Sequence, residues 1–333
     1  MVEAASTQLD AQIRSQPEVL EHMLIAGTVK AQVHAAAEAL HRVRRIWVVG
    51  TGTSQHAAFL GAAMLQDAGR SAHAVSSMQF VKNAPIVNQA DGVVVITHTG
   101  ETSYALSARA LAVLAGMQTI TITREGLGMN DVIETVPKET SETYTVSYTT
   151  TLLALGMLAG AMGADSLTPA ALELVPGAVE DAIEASGTED IPLPQRAVQI
   201  IGAGQGAITA REGALKIREA ARVLAEGYDV EFFLHGSAVP LGGQDHIVAL
   251  THGDEDGLVR AVATTAASEG IGVSLVDEPA ALPPLLAQIP LTVRLQLLAA
   301  RFAAERGQNP DVVITGKWND PELWSIGSPE PSY

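Results

Sequence analysis

The chain has 333 residues, 47% hydrophobic and 17% charged, with 37 Asp plus Glu against 20 Lys plus Arg and a formal net charge of −17. The apolar fraction excludes intrinsic disorder, the length suggests two domains, and the acidic balance argues against nucleic acid or an anionic membrane as the main partner. There is no cysteine, which removes disulfides, Cys-ligated zinc, iron–sulfur clusters and a Cys nucleophile together.

The first 28 residues read as one or two helices broken at Pro17, with Leu9, Ile13, Val19, Leu20, Met23 and Leu24 at roughly helical spacing. Met1–Ala5 starts acidic and lacks the apolar stretch of a leader, so a cytoplasmic protein is expected. Ile46–Val49 is a short apolar strand ending in Gly50-Thr51-Gly52-Thr53-Ser54, and a helix follows to about Ala68. Val93–Ile96 is a second strand ending in Thr97-His98-Thr99-Gly100-Glu101-Thr102. A helix over 103–115 and a strand over 119–123 come next. The apolar run Leu152–Ala164 is too short to span a bilayer.

The pattern then recurs. Val198–Ile201 leads into Gly202-Ala203-Gly204-Gln205-Gly206 and a long helix to about Ala225, and Ile247–Leu250 leads into Thr251-His252-Gly253-Asp254-Glu255. The two Gly turns are 152 residues apart and the two Thr-His turns 154, in the same order, which indicates a duplicated α/β unit. Continuous β-branched runs alternating with helices predict parallel sheets covered on both faces. The polar stretch 163–169 sets domains at 1–165 and 166–333. The tail after Gly307, with Pro310, Pro321, Pro329 and Pro331, reads as extended.

Four segments can carry chemistry. The turn Thr97–Thr102 puts three hydroxyls and a glycine between a buried strand and a helix N-terminus, which suits a phosphate, although threonines also cap helices with no ligand. Its counterpart in the second half has Gly253 for Thr99, Asp254 for Gly100 and Asp256 for Thr102, and the added carboxylates repel a phosphate, so only the first half is expected to hold one. The Gly50–Ser54 turn starts like a dinucleotide fingerprint but has Gln55 at the third glycine and lacks the later acidic residue. Glu212, Lys216 and Glu219 share one helix face, either as a solvated ion-pair stripe or as a general base with its tuning lysine. His235 ends the apolar run Phe232–Leu234 and meets Gly236, either as a structural turn residue or as a proton carrier. His246 and His252 have no third ligand near them in sequence, so no metal is expected.

These segments together resemble the SIS, or sugar isomerase, domain family. Within it they are similar to the isomerase half of glucosamine-6-phosphate synthase and to stand-alone sugar-phosphate isomerases and deaminases. Gly52-Thr53-Ser54 matches the family's first ligand turn. Thr97–Thr102 matches its Ser-Gln-Ser-Gly-Glu-Thr phosphate loop, with Thr97 and Thr99 for serines and His98 for glutamine. Glu212–Glu219 matches its helix motif, and His235-Gly236 its His-Gly. The resemblance implies two tandem SIS-like domains, each a parallel sheet flanked by helices, in a homodimer with shared active sites. It implies a small-molecule sugar-phosphate substrate and no cofactor. It also implies Glu219 as the isomerisation base, His235 from the neighbouring subunit as the ring-opening group, Lys216 in the site, and Lys317 as the C-terminal lysine. The implied reaction is aldose–ketose isomerisation, with deamination as an extension; the rival reading is a non-catalytic sugar-phosphate sensor. The sequence departs from the family at Gln79, Val146 and Phe232, which points to a different sugar. Without a cysteine, this chain cannot hydrolyse glutamine by a Cys route.

Overall fold

The computed structural model describes residues 7–83, 88–252, 256–279 and 281–329. Met1–Ala5, Gly253, Asp254, Glu255 and Pro331, named above, lie outside them. In chain order the first elements are α1 (Gln8–Ile25), α2 (Gly27–Leu40), β1 (Ile46–Gly50), α3 (Thr53–Asp67), β2 (Ala72–Ser76), α4 (Ser77–Lys82), β3 (Gly92–Ile96), α5 (Ser103–Leu114), β4 (Gln118–Thr123), β5 (Val132–Glu134), α6 (Val146–Ala161), α7 (Pro169–Glu173) and α8 (Val175–Glu184). They continue with β6 (Ala197–Gly202), α9 (Gly206–Ala221), β7 (Leu224–Asp229), α10 (Val230–Phe232), β8 (His246–Thr251), α11 (Leu258–Ser268), β9 (Gly272–Asp277), α12 (Pro284–Glu305) and α13 (Pro321–Ser325).

The chain packs as two compact units. One gathers residues 18–139, 146–173 and 314–333, and the other 1–17, 140–145 and 174–313. The first holds a parallel five-stranded sheet in the order β2-β1-β3-β4-β5. Val49, Val93 and Val95 pack there with Phe80, Ala105 and Ala108. Its α6 is buried over nearly its whole length and packs on α2 and α3, so the apolar run in this region is a core helix. The second unit holds a parallel four-stranded sheet, β7-β6-β8-β9. Ile201, Ile247 and Ala249 pack there with Phe233, Val259 and Val262. The expected α/β class with two parallel sheets is therefore present. No helix among the described residues is long and apolar enough to cross a membrane.

The two units repeat one local device. A Cβ on Gly50 would lie 2.3 Å from the Ser54 carbonyl oxygen, and one on Gly202 would lie 2.5 Å from the Gly206 backbone. In both, the last strand residue touches the first turn of the next helix, an approach only glycine allows. The second glycine of each turn, Gly52 or Gly204, has φ of +56° or +53°.

Three expectations change. Helix α1 passes through Pro17 rather than breaking there. Proline leaves the carbonyl four residues earlier without its usual donor, and the side-chain amide of Gln16 donates to that Ile13 carbonyl instead (3.1 Å). Helix α9 stops at Ala221, not Ala225, because Arg222 turns left-handed (φ +55°) and the chain returns as β7. Carrying the helix further would remove the strand that pairs with one edge of β6. The tail is not wholly extended, since it contains a 3-10 turn over Gly316–Asn319 and α13, which starts with the N-cap Asp320 before Pro321.

Gly50→Ala is expected to lower stability by about 3 kcal/mol or more through backbone overlap, or about 6–12 °C in Tm. Gly206→Ala meets nothing within 4 Å and should be neutral or slightly stabilising. Calorimetric melting of the two variants beside the parent checks both.

Candidate functional site

In an open parallel sheet, ligands bind beyond the carboxyl ends of the strands where strand order reverses. In the five-stranded sheet that point lies between β1 and β3, because the chain leaves β1 for β2 on one side and comes back as β3 on the other. The two turns at this crevice are Gly50–Ser54 and Thr97–Thr102. The topology thus brings together Gly52, Thr53 and Ser54 with Thr97, His98, Thr99 and Thr102, and all of these but buried Thr97 are at least partly exposed. Helices α3 and α5 start here, with N–H groups and positive dipole ends toward the crevice.

The hydroxyls differ in their commitments. Thr97 is buried, and its Oγ1 has no hydrogen-bond partner. Thr99 Oγ1 accepts from the Glu101 N–H (3.1 Å). Thr102 is the N-cap residue of α5 but its side chain makes no cap bond, so the reading of these threonines as ordinary helix caps does not hold for it. The Thr123 hydroxyl donates to the Thr97 carbonyl (2.8 Å), tying the turn to the end of β4. A buried donor without an acceptor costs free energy until something accepts from it.

Charge collects around this turn at residues that periodicity did not single out. Lys138 Nζ pairs with Glu101 (2.9 Å). Arg124 donates its backbone N–H to the His98 carbonyl (3.2 Å). The His98 ring accepts from the Glu139 N–H at Nε2 (3.3 Å). Burial, and then the charges of Arg124 and Lys138, push the His98 imidazole down to about 4. Strand-end position is the sequence signal that marks Arg124. Lys138 carries none.

Residues 316–328 belong to the same unit. The Ser103 hydroxyl donates to the Trp324 carbonyl (2.6 Å), the Ser107 hydroxyl to the Gly327 carbonyl (2.6 Å), and the Ser328 hydroxyl to Ser103 Oγ (2.9 Å). The tail is therefore pinned to the first turns of α5, just after the Thr97–Thr102 turn. Lys317 is exposed, and no described contact ties it to that turn.

The second unit places the other candidates. Glu212 and Lys216 are fully buried on α9, so these two are no solvated stripe. Lys216 Nζ lies 2.5 Å from Glu219 Oε2 and 3.6 Å from Glu212 Oε1. Desolvation raises the Glu219 carboxyl above its usual range, a shift that Lys216 opposes and the Glu212 charge reinforces. Such a carboxyl has one oxygen held by a lysine and a fifth of its side chain still open, which suits a proton carrier. His235 is exposed in a π-type turn over Phe233–Ser237, where Gly236 takes φ of +122°. Asp229 starts this segment by accepting from the Glu231 and Phe232 N–H groups, and buried Phe233 anchors it in the core.

The second unit also has a crevice, between β6 and β8. It is a cavity of about 430 Å³ lined by the Ala203–Gly206 turn, Thr251, His252 and Gln288. Thr251 corresponds to Thr97, but its hydroxyl already donates to the Asp277 carboxylate (2.5 Å).

Residues 39–161 match the SIS domain family. The chain is 28% identical over 340 residues to a glutamine–fructose-6-phosphate aminotransferase (isomerizing) of Pyrococcus horikoshii, covering 90% of this chain and 55% of that protein. The chain thus spans about half the length of the curated relatives it matches. Its fold is similar to the C-terminal domain of glucosamine-fructose-6-phosphate aminotransferase from Francisella tularensis, with TM-score 0.78 and 19% identity over 92% of this chain and 98% of the other. It is equally similar to tagatose-6-phosphate ketose/aldose isomerase from Escherichia coli, with TM-score 0.78 and 17% identity over 94% and 98%.

His98 is expected to stay neutral down to about pH 4. Its folded pKa is below the unfolded value, so the stability it contributes is whole above about pH 6.5 and is lost as pH falls toward 4. Imidazole NMR titration checks the first point. A flatter pH dependence of urea stability in His98→Gln across that window checks the second.

Proposed function

We propose, from the match of residues 39–161 to the SIS domain family, that the chain is an isomerase or isomerising deaminase of a phosphorylated hexose or amino sugar. Thr97–Thr102 holds the phosphate through hydroxyls and helix N–H groups, and Gly52, Thr53 and Ser54 face the sugar. The dianion anchors the ligand, and that binding energy orients the reacting carbons. The uncommitted Thr97 hydroxyl supports this assignment to the first sheet. The Thr251–Asp277 bond argues against the same role in the second.

The catalytic reading rests chiefly on the Lys216–Glu219 contact. Glu219 takes the proton from C2 of the opened aldose and returns it to C1 through an enediol, or through an enolamine when the sugar carries nitrogen. Lys216 stabilises the carboxylate form against the burial that opposes it. His235 moves a proton in ring opening, and Lys317 offsets negative charge developing on oxygen. The relatives whose names specify fructose-6-phosphate and tagatose-6-phosphate support the ligand class. Gln79, Val146 and the exposed Phe232 favour a sugar other than that of the synthases.

His235 stands among exposed apolar side chains, with Phe232 61%, Leu234 51% and Val239 84% exposed. Such a cluster suits burial against a second copy, as a homodimer with shared sites requires. Val239→Asp is expected to shift the protein from dimer to monomer in light scattering and to lower turnover with it. A monomeric parent chain rejects the dimer.

A panel of hexose and hexosamine 6-phosphates, assayed for C2 hydrogen–deuterium exchange with and without ammonium, tests the activity. Exchange identifies the enzyme; binding without exchange identifies a sensor. Glu219→Gln should reduce turnover on the order of 10²–10⁴-fold while sparing affinity. Glu219 must be ionised to accept the proton. Its raised pKa therefore moves the acid limb of kcat/KM above the 4.5 of an ordinary glutamate.

A further inference from the structure

Arg124 directly follows β4, at the carboxyl edge of the five-stranded sheet. Its backbone is tied to the anion turn through the His98 carbonyl, but its guanidinium is lightly used. Nη1 donates to the adjacent Glu125 carbonyl (3.2 Å). Nε is buried and has no hydrogen-bond partner. Three carboxylates of this region are engaged with other donors. Glu101 is held by Lys138 (2.9 Å). Glu134 accepts from the Gly126 N–H (2.8 Å) and from Gln32 (3.3 Å). Glu139 accepts from the Ser147 N–H (2.8 Å).

A guanidinium N–H shut away from water without an acceptor is costly, and the group's planar fork matches the oxygens of a phosphoryl group. We propose that Arg124 is a further anion-binding residue of the Thr97–Thr102 turn, turning its fork from the Glu125 carbonyl onto the phosphoryl oxygens. Lys138 neutralises Glu101, the one acidic side chain within the turn. The turn then presents a net positive face, selective for a dianion over a monoanion. Burial is the main cause of the low proton affinity of His98, and the charges of Arg124 and Lys138 add to it. This assignment rests on the reading of the turn as a phosphate site and names the side chain that sets its charge preference.

The test is calorimetric titration of the full chain with inorganic phosphate and with glucitol 6-phosphate at pH 7.5, for the parent, Arg124→Met and Arg124→Lys. Arg124→Met is expected to weaken both ligands about ten- to a hundredfold. Arg124→Lys should fall between Arg124→Met and the parent, because it keeps the charge and loses the fork. The His98 pKa should rise in Arg124→Met, staying below 6.5 because the burial that chiefly lowers it remains, and should stay low in Arg124→Lys. A parent that binds both ligands with Arg124→Met binding equally well overturns the role of Arg124 and leaves the phosphate site standing. A parent that binds neither overturns the phosphate site, and Arg124 falls with it. If Arg124→Met does not fold, Arg124→Lys decides: parental affinity in that variant rejects the fork contact.

Discussion

Everything at the candidate site depends on how closely a strand end can approach the helix that follows it. At Gly50 and Gly202 the missing Cβ lets the strand touch the first helical turn, with 2.3 and 2.5 Å between the would-be carbon and backbone atoms. That contact sets where each helix starts and which way its free N–H groups face. The switch in strand order then opens a crevice beside each contact. Two sheets with the same rule therefore make two crevices, and the side chains around them decide what each one does.

The duplicates have diverged through hydrogen-bond commitment more than through shape. In one, a buried threonine hydroxyl waits for an acceptor. In the other, the matching hydroxyl is spent on Asp277, which Arg260 also approaches (3.5 Å). The second unit has placed its unusual chemistry on α9 instead. A fully buried lysine between two carboxylates has little to recommend it as a source of stability, since desolvation offsets most of the attraction. Burial, against the pull of Lys216, leaves Glu219 with a proton affinity above that of a surface glutamate.

Much of this was legible in the chain itself. The apolar runs at Ile46, Val93, Val198 and Ile247, each ending in glycines or hydroxyls, located four central strands because buried parallel strands need continuous β-branched residues. The constant offset between paired turns revealed the duplication. Other features were hidden because their cause lies far along the chain. The start of α1 is capped by the Asp311 carboxylate, which accepts from the Gln8 and Leu9 N–H groups (2.9 and 2.8 Å). The passage of α1 through Pro17 needs the Gln16 amide, itself steadied by Gln296 (2.8 Å). The cations near His98 come from the residue after β4 and the segment after β5, which share no period with the turn. Asp320-Pro321, by contrast, is a plain local start signal for α13 within a stretch whose other prolines suggested only extended chain.

The serine-held tail gives the protein a separable part. Among the described residues it is joined to the start of α5 by side-chain hydrogen bonds at Ser103, Ser107 and Ser328 and contributes no strand to either sheet. Truncating this segment, with its two exposed tryptophans, would therefore leave every strand pairing of the β-sheet beneath intact.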